Sequence, residues 1–147
     1  MKNEPVIVER VYNARVERVW HAITDLEKMH RWYLPALTEF EPEVGFETRF
    51  DVNVNGKICP HIWKVTEVIP DKKISYEWKY DGYPGNSSVT FELFDNYGKT
   101  RIVLTHEKLE TFRGDIHPEL AKHNFEKGWT HFIGSALKDF VEQDNDN

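Results

Sequence analysis

The stretch from Pro118 to about Gln143 constrains the fold more than any other part of the chain. Its aromatic and apolar residues recur at steps of three and four, which places them on one face of a single helix of about seven turns. Pro118 suits the first turn, because the missing N–H of proline costs nothing there. That face carries Phe125, Trp129, Phe132, Ala136 and Phe140, with Ile133 at its edge and Leu137 further round. A helix with such a broad aromatic face needs a large apolar partner.

The N-terminal third is predicted to contain one strand and two short helices. Residues 6–13 are rich in β-branched side chains and are predicted to form a strand, with Val6, Val8 and Tyr12 on one side and Ile7 and Val11 on the other. Asn13 is the predicted N-cap of the first helix. A capping box from Thr24 to Glu27 is predicted to open the second helix. The apolar residues predicted to face inward from these helices are Val16, Val19, Trp20, Ile23, Leu26, Met29 and Trp32.

The middle of the chain is predicted to form antiparallel strands. Asn55-Gly56 is a strong signal for a two-residue hairpin, because a type I′ turn needs positive φ at both central positions. Pro60 indicates an edge position or a bulge in the following strand. The inward face of that strand is ambiguous, since Cys59, His61, Trp63 and Val65 compete with Ile58 and Ile62. The predicted strands cover residues 36–40, 44–54, 57–69, 73–80, 88–95 and 100–108.

This order of elements predicts an α+β fold with its helices gathered on one side of the sheet. A curved antiparallel sheet of about six or seven strands would wrap around the long C-terminal helix, with two short helices after the first strand. The sequence has no internal repeat or linker. We therefore expect one domain over residues 1–147, with its core at about 6–141.

Composition narrows the classes of function. The formal net charge is −6 with no basic run, so a nucleic-acid partner is not expected. No apolar run approaches the length of a membrane span, and a cytoplasmic protein without a membrane span is expected. Cys59 is the only cysteine, which excludes an intrachain disulfide. Aromatic residues reach 14% of the chain, enough for either a heavy core or a ring-lined pocket.

Four local motifs occur in an order typical of a known family. They are VWHAITD (19–25) followed by RWY (31–33), KVTEVIP (64–70) followed by ISYEW (74–78), TRIVLTHE (100–107), and GW (128–129). Together they resemble the AHSA1-like family, named for the C-terminal domain of the Hsp90 ATPase activator, within the START-like (Bet v 1-like, SRPBCC) superfamily. The resemblance spans residues 6–141 and implies the helix-grip fold. Nothing in the sequence corresponds to the separate N-terminal domain of the eukaryotic activator, so Hsp90 activation is not implied by default.

The histidines and the cysteine do not form a pattern typical of metal binding or catalysis. No pair of histidines has the spacing of a zincin site, and Cys59 has no basic cluster or histidine partner beside it in sequence. We therefore expect no metal, no resident cofactor and no assigned catalytic residue. An enzymatic activity is left open, with a non-enzyme favoured.

His106 and the aromatic residues have two interpretations. His106 shares a strand face with Ile102 and Leu104, so it is either a hydrogen-bonded core residue or a polar group that orients a ligand. The rings are either packed core or the walls of a cavity between the sheet and the helix. The residues predicted to line such a cavity are Trp32, Phe50, Trp63, Tyr76, Trp78, Phe91, His106, Phe125, Trp129 and Phe132. Residues 32–35 and the loop at 81–87 either border its entrance or form plain surface turns.

Three hypotheses of function follow. The first is a module that binds a small hydrophobic or aromatic molecule in the cavity. The second is a cyclase/aromatase-like enzyme, as known elsewhere in the superfamily, with His106 or Tyr76 moving protons. The third is a protein that interacts with an Hsp90-type chaperone, as the family's name implies, or a stress-related protein. A solvent-open cavity lined by His106 would favour the first two, whereas a filled core with a surface groove would favour the third.

Overall fold

The computed structural model of the protein describes residues 4–54 and 56–143. Strand β1 (Val6–Tyr12) is followed by helices α1 (Val16–Thr24) and α2 (Leu26–Trp32). Five strands come next: β2 (Glu47–Val54), β3 (Lys57–Ile69), β4 (Lys73–Tyr80), β5 (Ser87–Asn96) and β6 (Lys99–Glu107). Two 3₁₀ turns, Leu109–Phe112 and Pro118–Leu120, lead to the long C-terminal helix. That helix consists of α3 (Lys122–His131), a π-helical segment (Phe132–Ala136) and α4 (Leu137–Glu142).

The six strands form one curved antiparallel sheet in the order β1-β6-β5-β4-β3-β2. This arrangement confirms the predicted α+β helix-grip architecture. Strand β1 pairs with β6, so the first strand of the chain lies beside the last. Tyr12 at the end of β1 donates from its hydroxyl to the Ile133 carbonyl oxygen at 2.5 Å. That bond fastens one edge of the sheet to the C-terminal helix.

The structure settles which face of β3 is buried. Cys59, His61, Trp63 and Val65 point inward and are buried, and Ile58 is 52% exposed. The ladder with β4 starts at His61, and the Pro60 carbonyl oxygen accepts from the Asp81 backbone N–H at 3.1 Å just beyond the end of β4. Strand β3 lies between β4 and β2 in the sheet, but at Pro60 it extends past the end of β4, so the proline is at an edge only locally.

The first predicted strand of the middle region is absent, and the second is shorter than predicted. Residues 36–40 lie in an irregular segment over residues 33–46, and β2 begins at Glu47 rather than at Val44. Leu37 and Phe40 are nevertheless buried, with 1% and 7% exposure. Their spacing of three residues does not fit the alternation of a strand, so they are buried by a loop that folds over the core.

Both predicted helix caps are wrong. The N-cap of α1 is Arg15 rather than Asn13, and it makes no side-chain capping bond. Helix α1 runs on through Thr24, whose hydroxyl donates to the Trp20 carbonyl oxygen at 2.7 Å. Asp25 caps α2 instead, and its carboxylate accepts from the Lys28 backbone N–H at 3.2 Å. Thr24 cannot cap α2 because its own backbone is still helical.

The C-terminal helix starts at Lys122, and Pro118 lies in a separate 3₁₀ turn. Its buried face is also shifted from the prediction. Trp129, Ile133, Leu137 and Val141 are buried, whereas Phe125, Phe132, Ala136 and Phe140 are half-buried. Four-residue steps would drift around a regular α-helix, but the wider turn of the π-helical segment keeps them in line.

The hairpin between β2 and β3 falls partly outside the described residues. Gly56 has a φ of +84°, which glycine adopts readily. Asn55, the other residue of the predicted turn, and the side chain of Val54 lie outside the described part of the chain.

Candidate functional site

The inward side chains of the sheet and the C-terminal helix meet in one aromatic cluster. All ten residues predicted to line a cavity are in it, linked by ring contacts. Phe125 and Phe132 are half-buried, and the other eight are buried. Trp63 is central to the sheet side, with ring centroids 4.5 Å from Tyr76 and 5.2 Å from Trp78. The structure therefore brings the ten predicted residues together in one cluster, and the side chain of Tyr33 lies among them.

The Tyr33 ring lies at the centre of the cluster. It follows directly after α2 and is only 4% exposed. On the sheet side its centroid is 5.6 Å from that of Trp63, and on the helix side it is 5.1 Å from Phe132 and 5.8 Å from Trp129. Its hydroxyl is hydrogen-bonded to the Tyr76 hydroxyl at 2.8 Å. The Tyr33 side chain therefore fills the space between the sheet and the C-terminal helix, where one interpretation of the sequence predicted a cavity.

Sequence reasoning placed Tyr33 in a segment that either borders an entrance or forms a surface turn, and it lies in the core instead. His61, Tyr80 and Phe112 are further core residues that it did not select. His61 would have been found had the inward face of β3 been known, because it lies two residues from Trp63. Tyr33 gave no such signal, since it follows a helix end and belongs to no periodic pattern.

His106 is a fully hydrogen-bonded core residue. Its Nδ1 accepts from the Trp129 indole N–H at 2.9 Å, which places the ring proton on Nε2. Nε2 donates to the Ser87 hydroxyl oxygen at 2.7 Å, and Ser87 donates in turn to the Trp78 carbonyl oxygen at 2.6 Å. Burial lowers the pKa of His106 from 6.5 to about 3. A neutral imidazole with both nitrogens occupied is not available as a base, so the core interpretation of His106 is favoured.

Replacing His106 by alanine is expected to lower the free energy of unfolding by about 2–3 kcal/mol. The change opens a hole at a fully buried position and leaves the Trp129 N–H without an acceptor. Urea unfolding measured at pH 7.5 tests this. The same change at His123, which is exposed on the C-terminal helix, is the control and should be close to neutral. A loss at His106 as small as at His123 would contradict the core interpretation.

One polar atom in the cluster lacks a partner. The indole N–H of Trp63 is buried, and no described residue accepts from it, although the residue is only 1% exposed. By contrast, the indole N–H of Trp78 donates to the Tyr80 hydroxyl at 2.9 Å, and that of Trp129 donates to Nδ1 of His106 at 2.9 Å. A buried unpaired donor costs about 1–3 kcal/mol. The Trp63 indole N–H is therefore a buried hydrogen-bond donor that lacks an acceptor in the middle of the ring cluster.

The loop between β4 and β5 is tied to the segment after β6. The backbone N–H of Asn86 donates to the Thr111 hydroxyl at 3.0 Å, and the Tyr83 hydroxyl donates to Glu119 at 3.0 Å. Lys57 also contacts Glu119, with 3.3 Å between Nζ and the carboxylate. These bonds join the β4–β5 loop and the start of β3 to the segment that leads into the C-terminal helix.

Cys59 is buried beneath this region, and burial raises the pKa of its thiol. Among the residues that the structure describes, no group of three or more histidine, cysteine or acidic side chains is placed to hold a metal ion. In the same described residues, no helix is both long and apolar enough to cross a membrane.

Several solved structures share this fold. CV1439 from Chromobacterium violaceum matches with a TM-score of 0.78 at 24% identity, over 98% of this chain and 100% of its own. MLL2253 from Mesorhizobium loti matches with a TM-score of 0.75 at 25% identity, over 98% and 99%. CalU16 from Micromonospora echinospora matches with a TM-score of 0.63 at 22% identity, over 92% and 72%. No curated protein matches the sequence significantly.

The family comparison agrees with the motifs in the sequence and with the fold. The model of the activator of Hsp90 ATPase homolog 1-like proteins matches residues 13–142, which is most of the chain. The match covers both short helices, the sheet from β2 onward and the C-terminal helix. The chain therefore belongs to the family of activator of Hsp90 ATPase homolog 1-like (AHSA1-like) proteins.

Proposed function

We propose that the protein binds a small hydrophobic or aromatic molecule between the sheet and the C-terminal helix. The observation that carries this proposal is the unpaired indole N–H of Trp63 in the ring cluster. A ligand with an acceptor oxygen would satisfy that donor and gain a strong hydrogen bond in a site of low polarity. The surrounding rings supply the apolar contact that small-molecule sites use.

The cluster is filled in this structure, so binding requires a side chain to move aside. The walls of the site are rigid, because Trp63 and Tyr76 lie on paired strands and Trp129 lies on the long helix. The segment at residues 33–46 is the part of the enclosure without helix or strand structure. Loops of this kind open more easily than packed strands do.

Native mass spectrometry of the protein purified from its own host is the first test. A single co-purifying hydrophobic compound, recovered by denaturing extraction, is the expected result. A thermal-shift screen with a library of small aromatic compounds follows, in which some members should raise the melting temperature. A clean mass for the unliganded protein together with no thermal shift would overturn the proposal.

Replacing Trp63 by phenylalanine tests directly whether the unpaired indole N–H contributes to ligand binding. The variant removes the unpaired N–H but leaves a void where the larger indole packed, so the two effects offset and we expect the stability to change by less than about 1 kcal/mol. Its affinity for acceptor-bearing ligands should fall by about tenfold, the value of one buried hydrogen bond. Trp20→Phe is the matched control, since Trp20 is buried on α1 outside the ring network of Trp63, and it should leave the affinity unchanged. Equal affinities in the wild type and in Trp63→Phe would contradict the assigned role of Trp63.

A protein partner is the second candidate function, and the filled interior is the observation that favours it. A surface groove of about 470 Å³ lies between residues 109–115 and 120–122, with Leu109 and Leu120 among its lining residues. Binding of the host's own Hsp90-type chaperone, measured by biolayer interferometry, would support this candidate if no compound in the thermal-shift screen raises the melting temperature.

The cyclase/aromatase-like alternative gains no support, because both His106 and Tyr76 are held in hydrogen bonds within the core.

A further inference from the structure

The Tyr33 side chain has the surroundings that a bound aromatic molecule would have. Its ring is stacked on Trp32 with 4.5 Å between centroids and 8° between the planes. Its contacts with Phe91 of the sheet and with Phe132 of the C-terminal helix are T-shaped, with centroids at 6.3 Å and 5.1 Å. Such stacked and edge-on contacts are the preferred geometries of aromatic pairs. No other ring in the cluster has partners on α2, on the sheet and on the C-terminal helix at once among the described contacts.

The hydroxyl of Tyr33 also lies where the polar group of a bound aromatic molecule would lie. Its hydroxyl meets the Tyr76 hydroxyl at 2.8 Å, deep between the sheet and the helix. Tyr76 is 0% exposed and has its own hydroxyl bonded only to Tyr33 among the hydrogen bonds that the structure describes. If Tyr33 moved out, the Tyr76 hydroxyl would need another partner, as the Trp63 N–H already does.

We propose that Tyr33 holds the place of the ligand and that the ligand is a hydroxylated aromatic compound with a second, acceptor oxygen. This inference rests on the proposed function. The ligand's ring takes the position of the Tyr33 ring, and its hydroxyl bonds to the Tyr76 hydroxyl. The acceptor oxygen receives the Trp63 N–H. Tyr33 leaves with the irregular segment at residues 33–46, and the paired strands and the C-terminal helix keep their positions.

Calorimetric titration with two matched compounds tests the ligand class. The probe is 4-hydroxyacetophenone, which carries a phenol and a carbonyl acceptor, and the control is 4-methylacetophenone, which lacks the hydroxyl. The wild-type protein should bind the probe more tightly, by about tenfold or more, the value of one buried hydrogen bond. In Tyr76→Phe that preference should disappear. Equal affinity for both compounds in the wild type would overturn the hydroxyl assignment.

Tyr33→Ala tests the displacement. Without the competing side chain, the probe should bind about tenfold more tightly than in the wild type, because the open state is no longer a minor population. NMR of the wild type with ring-labelled tyrosine gives a second readout that does not depend on the folding of the variant. The Tyr33 signal, identified by its absence in Tyr33→Phe, should shift from a buried to an exposed environment as the probe is added.

The outcomes separate the two proposals. If the wild type binds other aromatic compounds but the Tyr33 signal stays in place, this inference is wrong and the proposed function stands. Binding of the probe to Tyr33→Ala but not to the wild type would show an artificial hole only, which also overturns the inference. If no compound binds the wild type and none co-purifies, the proposed function itself fails.

Discussion

Replacing Trp129 by alanine is expected to lower the free energy of unfolding by about 3–5 kcal/mol, which is typical of removing a large buried ring. Trp129 is 2% exposed and lies between the C-terminal helix and the sheet. Its ring is 5.8 Å from both Trp78 and Phe132 and 5.9 Å from Phe91, measured between centroids. The change would also leave Nδ1 of His106 without its donor. Urea unfolding followed by circular dichroism measures the loss.

Two further variants divide this effect into its parts. Trp129→Phe keeps most of the ring contacts but removes the N–H, so it should cost about 1–3 kcal/mol, the value of one buried bond left unmade. Tyr97→Ala is the control, since Tyr97 is fully exposed in a turn and should give no measurable change. A loss below about 1 kcal/mol for Trp129→Ala, with increased uptake of apolar compounds, would instead identify Trp129 as the wall of a hollow site.

Period-two alternation predicted most of the sheet because it depends only on which face of each strand is buried. Ile74, Tyr76, Trp78 and Tyr80 were expected on one face of β4, and all four are buried. The same logic placed His106 on one face of β6 with Ile102 and Leu104, and all three residues are buried. Local strand patterns thus predicted which residues from distant parts of the chain share the inner face of the sheet, because an antiparallel sheet brings consecutive strands together.

The occupant of the site could not be predicted in this way. Tyr33 follows a helix end and is placed by the irregular segment that comes after it, so no periodic pattern records its direction. The π-helical segment at Phe132–Ala136 was equally hidden, since nothing in those five residues distinguishes a wide turn from a regular one. Periodic patterns in the sequence do not predict which loop residues fill a site, because tertiary packing alone sets their position.

The stability of the protein should fall as the pH drops from 7.5 to 5, because two buried histidines must be neutral in the folded state. Burial lowers the pKa of His61 to about 4 and that of His106 to about 3, from 6.5 in the unfolded chain. Below pH 6.5 the unfolded chain therefore binds more protons than the folded chain does. The free energy of unfolding is therefore at its full value above pH 6.5, and it decreases as the pH falls from 6.5 towards the folded-state pKa values of the two histidines. At pH 5 each histidine should account for a loss of about 2 kcal/mol.

Urea unfolding at pH 7.5, 6.5, 5.5 and 5.0 measures this dependence. The pKa values of Glu119 and Glu142 are lowered by their hydrogen bonds, so their contribution is lost only below the ordinary carboxyl range, near 4.5, and does not enter this window. His61→Phe should remove about half of the pH dependence, because its ring lies among Phe50 and Tyr80 and phenylalanine cannot take up a proton. An unfolding free energy that is the same at pH 7.5 and pH 5 would show that the two imidazoles reach solvent. That outcome would open His106 to the ligand role that its packed environment argues against, since a solvent-accessible imidazole beside Trp129 could contact a bound molecule.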